Sequence, residues 1–118
     1  MGYKNFKELI VWQKSMALAE QIYSLTNLLP DGEKYALSNQ MRRAAISIPS
    51  NIAEGHSRCS KNEYVHFLSI ARGSLSELET QILLGERIKY YNQSQTAAAL
   101  ELCGEIQKML SKMINTLK

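Results

Sequence analysis

The chain has 118 residues, 45% of them hydrophobic and 21% charged, and a net charge of +3. That length fits one domain, residues 1–118, able to bury a core without disulfide or metal staples. Two prolines and six glycines are few breakers, which favours helices over a turn-rich β fold.

No apolar run approaches the roughly 18 residues of a membrane span. The opening stretch MGYKNFKELIVWQKS lacks the charged start, apolar block and small-residue cleavage site of a secretory leader, which predicts a cytoplasmic protein with no membrane partner. Cys59 and Cys103 have no metal-ligand spacing. Both are expected as free thiols, Cys103 as a small core residue.

The first helix is predicted from about Phe6 to Thr26. Asn5 followed by Glu8 has the spacing of a capping box. Leu9, Trp12, Met16, Ala19, Tyr23 and Thr26 recur at alternating steps of three and four, a bundle-type seam. Leu28–Gly32 makes the turn.

The second helix is predicted from near Glu33 to near Gly55, with Leu37, Met41, Ala44, Ile48 and Ile52 buried. Pro49 falls inside it. Proline cannot donate to the carbonyl of Ala45 and crowds it, which costs about 3 kcal/mol and bends a helix. The competing reading starts a new helix at Pro49. Because Ala44, Ile48 and Ile52 keep their phase across the proline, one helix kinked at Pro49 is preferred. Ser47 or Ser50 can then relieve the freed backbone groups.

The third helix is predicted from Ser60-Lys61-Asn62-Glu63, a second capping box, to Arg87 or Lys89. Its seam is Tyr64, Phe67/Leu68, Ala71, Leu75, Leu78, Ile82 and Gly85. The fourth is predicted to be capped by Ser94 and to bury Ala99, Leu102, Ile106, Met109, Met113 and Thr116/Leu117. Short connections make neighbours antiparallel. The expected fold is therefore all-α, an antiparallel up-down-up-down four-helix bundle.

Two features suggest contact with partners. Arg43, Ser47, Ser50, Glu54 and Arg58 recur along one flank of the second helix, with Asn51 beside them. Such short polar residues suit either a solvated face or a contact with another subunit, so Ser47, Ser50, Asn51 and Glu54 are candidate interface residues. Six basic residues against two acidic ones lie between Lys34 and Arg72. A local positive field attracts phosphates. Arg42, Arg43, Arg58, Lys61 and Arg72 are the candidates for nucleic-acid or partner binding, with pairing of Arg42 and Arg43 to Glu77 or Glu79 as the alternative.

The stretches NFKELIVWQKS, PDGEKYALSNQMRRAAISIPSNIAEGHSR and YVHFLSIARGSLSELETQILL closely resemble the bacterial 23S ribosomal-RNA intervening-sequence proteins. RRAAISIPSNIAEG carries most of the specificity, and the last helix matches in pattern only. The resemblance covers nearly the whole chain. It implies a small bundle whose relatives include the accessory variability protein of diversity-generating retroelements, a more basic pentameric barrel that binds nucleic acid and a reverse transcriptase. By that resemblance a homopentamer is expected, with RNA, DNA or a nucleic-acid-processing protein as partner.

Enzyme readings fare worse. Glu63-Tyr64-Val65-His66 is a single Glu-x-x-His match, where a di-iron bundle needs two, and Glu63 is already the capping partner. Arg58 and His66 are eight apart, neither one helical turn nor two. No phosphate loop or nucleophile elbow is present. The expectation is a non-enzymatic binding module with no catalytic residue, metal or cofactor. A small RNA-processing enzyme and a purely protein-binding scaffold are the alternatives.

Overall fold

The computed structural model describes residues 5–118; the leader reading of the first four residues lies outside them. Four helices run α1 (Ile10–Thr26), α2 (Leu37–His56), α3 (Lys61–Arg87) and α4 (Gln93–Leu117), and among the described residues there is no strand. Each packs on its chain neighbours, and α1 also packs on α4, while the diagonal pairs stay apart. This is the four-helix bundle that the four stripes predicted. The 44 Å long dimension follows from the 27-residue α3, about 40 Å at 1.5 Å per residue.

α2 and α3 form the most extensive contact. Small residues allow it. Gly55 presents its backbone to Tyr64 and Phe67, and Ser47 Oγ lies 2.8 Å from Ser74 Oγ. The helix does continue through Pro49 to His56, as the unbroken phase required. The Ser47 hydroxyl does not turn to the Ala45 carbonyl as expected: it turns across to α3, and the Asn51 side chain donates to the Ser47 carbonyl at 2.8 Å.

The α3 seam is as predicted, from Tyr64 to Gly85, and Ser60 caps the helix by accepting from the Glu63 amide at 3.1 Å. Elsewhere the expectations need correction. Asn5 caps a separate 3₁₀ turn, Phe6–Glu8, and α1 proper begins at Ile10. Leu9 and Thr26 of the predicted seam are buried, but between them the inward stripe of α1 is Val11, Ser15, Leu18, Ile22 and Leu25, one step round from Trp12, Met16, Ala19 and Tyr23. Ser15 is buried at no polar cost because its hydroxyl donates to the Val11 carbonyl at 2.7 Å.

The second helix begins at Leu37, four residues late. Asp31–Glu33 forms its own 3₁₀ turn, and the Glu33 carboxylate accepts from the Leu37 amide and from the Tyr90 hydroxyl. Asn92 caps α4 instead of Ser94, in a reciprocal box with Gln95. The buried face of α4 is Thr96, Ala99, Cys103, Ile106, Leu110 and Ile114, with Leu102, Met109, Met113 and Leu117 flanking it.

Cys103 is buried, as expected, and Cys59 is exposed; both are free thiols. Burial, with a smaller contribution from Glu79, pushes the Cys103 thiol up from 9.0 to about 12. Burial alone pushes Tyr91 from 10.0 to about 12. Both groups hold their protons in the folded chain at pH values where the unfolded chain has released them. Stability is therefore present in full below pH 9 and falls as pH rises toward 12. Urea titrations across this range are expected to show that fall, and Cys103→Ala should remove the part that starts nearest pH 9.

The α3–α4 connection carries one backbone anomaly. Tyr90 N–H donates to the Gly85 carbonyl and Lys89 N–H to that of Glu86, the bond pair of a Schellman ending. Its left-handed residue, usually glycine, is Lys89 at φ 70°. A side chain there costs about 1 kcal/mol, so Lys89→Gly is expected to raise stability by about 0.5–1 kcal/mol in urea unfolding.

Candidate nucleic-acid and subunit interfaces

The bundle separates the basic residues that the sequence grouped. Arg42 lies in the second turn of α2 and Arg58 just past its end, about 24 Å apart along the axis. Arg42 is half-buried against α1. It donates to Thr26 Oγ1 at 2.7 Å and Asn27 Oδ1 at 2.9 Å, and its guanidinium lies 4.4 Å from the Tyr23 ring centroid. Arg43, the next residue, is exposed.

Arg58 stands at the other end of α2. It bridges Glu54 at 2.8 Å and Glu63 at 3.4 Å and covers the Phe67 ring. These pairs are exposed, and each is worth about 0–1 kcal/mol. Lys61 opens α3 nearby and is exposed. Arg72 is in α3 and reaches across to α4, its Nη1 3.4 Å from Ser111 Oγ.

The polar flank of α2 divides in the same way. Ser47 and Asn51 are half-buried; Ser47 bonds to Ser74 of α3, and Asn51 donates back to Ser47 on its own helix. Glu54 is exposed and held by Arg58. Ser50 is exposed on the opposite border, where α2 meets α1.

On that border the structure reveals a surface that sequence reasoning did not find. Trp12, Met16 and Ala19 of α1 and Ile46, Pro49 and Ala53 of α2 line a groove of about 380 Å³, with Ser50 at its edge. Met16 is 40% and Ile46 45% exposed. Phe6 supports one end by meeting the Trp12 ring edge-on at 5.3 Å. Its signal was present in the sequence: Trp12, Met16, Ala19 and Tyr23 are the stripe that was assigned to the core.

Among the described residues no three His, Cys, Asp or Glu side chains stand together as a metal site. Glu63 is engaged by Ser60 and Arg58, while His66 is exposed on Phe67. No helix is long and apolar enough to cross a membrane.

The fold is shared with a known protein. The model of the 23S rRNA-intervening sequence protein family matches residues 7–112. The chain belongs to this family. A crystal structure of a protein of unknown function from the S23 ribosomal protein family of Bacteroides thetaiotaomicron is similar, at 29% identity and a TM-score of 0.83. The similarity covers 89% of this chain and 98% of that one. No match was found among curated proteins. The family match spans both the α1–α2 groove and the basic residues of α2 and α3.

Proposed function

We propose that this family member is a non-catalytic, self-associating bundle, a homopentameric ring, that binds nucleic acid. The observation that carries the reading is the α1–α2 groove. An apolar hollow lined by Trp12, Met16, Ile46 and Pro49 on a chain of 13.4 kDa is an unpartnered surface of the kind that subunits cover.

A groove needs a ridge. Leu83 and Leu84 on the last turn of α3 and Ile88 just past its end are 43–47% exposed and supply one on a different face. Groove and ridge on separate faces make a head-to-tail contact, which closes into a ring when the rotation permits. The excess of basic residues and the ribosomal-RNA context of the family support a phosphate-rich ligand.

Light scattering on the eluting peak is the first test. A mass near five times 13.4 kDa is expected, and a monomer at micromolar concentration would remove the ring. Binding to labelled RNA or DNA is expected to weaken steeply between 50 and 200 mM salt. Salt-independent binding, or no binding, would remove the nucleic-acid reading.

A further inference from the structure

The end of the bundle that carries the α1–α2 and α3–α4 connections combines four features the proposed function leaves unused. Two shallow hollows lie there. One, of about 510 Å³, is lined in part by Lys34, Tyr35, Asn39 and Arg42; the other, of about 610 Å³, by Arg87, Lys89, Tyr90 and Gln93. The Tyr90 hydroxyl donates to Glu33 at 2.7 Å, and this bond ties the two connections together. Lys34 and Lys89 are therefore the chain neighbours of two bonded residues.

Tyr35 is the most exposed of the large hydrophobic side chains among the described residues, at 85%. Its ring has the Lys34 ammonium 5.5 Å from the centroid and no packing role in the core. An exposed aromatic flanked by cations is the pairing by which proteins hold unpaired bases, the ring taking the base and the cations the phosphates. Lys89 adds an independent observation. It keeps a cationic side chain at a left-handed position where glycine is more stable, beside the second hollow. Strain retained at a surface lysine points to a use for its charge. Of the acidic residues here, Glu33 accepts from Tyr90 and the Leu37 amide and Glu86 from Thr96, while Asp31 is exposed and lines the same hollow as Lys34 and Tyr35.

We propose that this end of the bundle binds single-stranded nucleic acid, with Tyr35 stacking on a base and Lys34, Arg87 and Lys89 meeting its phosphates. The inference rests on the nucleic-acid reading above and narrows it to unpaired strands and to one end of the molecule. Stacking and phosphate contact do not distinguish ribose from deoxyribose, so RNA and DNA strands are both suitable probes.

The test is fluorescence anisotropy of the full chain with oligo(U) and oligo(dT) of about 15 nucleotides and with a duplex of equal length. Both single strands are expected to bind more tightly than the duplex. Tyr35→Ala should weaken them by about 5- to 100-fold, while Tyr35→Phe should bind like the parent chain. Lys89→Gly should lower the salt slope by roughly 0.7 while making the fold more stable, a combination that lost structure cannot produce. Tyr35 is so exposed that its removal leaves the core intact. Duplex binding as tight as single-strand binding would overturn the inference and leave the broader reading in place. So would an unchanged Tyr35→Ala alongside a weakened Arg58→Ala. Failure of the parent chain to bind any probe would overturn both.

Discussion

Gly85→Ala is expected to destabilise the chain by about 1–3 kcal/mol, although alanine is the better helix former. A β-carbon at Gly85 would fall 2.7 Å from Cδ2 and 2.9 Å from Cε2 of Tyr91. The ring has little room to retreat. Tyr91 is 4% exposed, and its hydroxyl donates to the Leu25 carbonyl at 2.7 Å, so it pins the α3–α4 connection to the end of α1. Relief requires either loss of that bond or a shift of α3, and both spread the damage beyond one contact.

Gly73→Ala is the matched control. It lies on the same helix, is exposed, and has nothing within 4 Å of the added carbon. It should stabilise the chain by up to about 1 kcal/mol. Urea midpoints of the two variants are expected to move in opposite directions. Movement of both upward would show that the Tyr91 ring is free to give way.

Ile46→Glu is expected to break self-association while leaving the subunit folded. Ile46 is 45% exposed and lies outside the buried cluster, so the substitution removes little from the core. In an assembled ring the same position would be covered. An unpaired carboxylate enclosed beside Trp12, Met16 and Pro49 would cost at least about 2 kcal/mol per contact, roughly 30-fold in association. Every contact of a symmetric ring carries the same substitution, so the cost is repeated at each.

Light scattering should find the variant at 13.4 kDa with the helical content and urea midpoint of the parent chain. Thr80→Glu, exposed on α3, should keep the parent mass. If Ile46→Glu also keeps it, the groove does not hold the subunits together.

Most of the fold was legible because α2 and α3 each have one dominant apolar stripe. Ala44, Ile48 and Ile52 held their phase across Pro49, and the helix follows them. The candidate interfaces were less legible. Arg42 and Arg43 are sequence neighbours, yet Arg42 is half-buried on Thr26 and Asn27 while Arg43 faces solvent. Charge density along the chain carries no information about which end of a rod a residue occupies. The 3₁₀ turn at Asp31–Glu33 was hidden for a related reason: its Glu33 partner, Tyr90, is 57 residues away.

By itself the sequence determined the number and order of the helices, the seam of α3, the cap at Ser60 and the burial of Cys103. These depend on local spacing and composition. Only the tertiary structure decided which of two adjacent stripes on α1 faces inward. Both stripes are apolar enough to bury, and the one with a serine in it won. The Ser15 hydroxyl satisfies itself on Val11, and α2 and α4 close over Leu18, Ile22 and Leu25. That choice leaves Met16 exposed and Trp12 half-buried beside Ile46, and it is the reason this bundle has a groove to offer a neighbour.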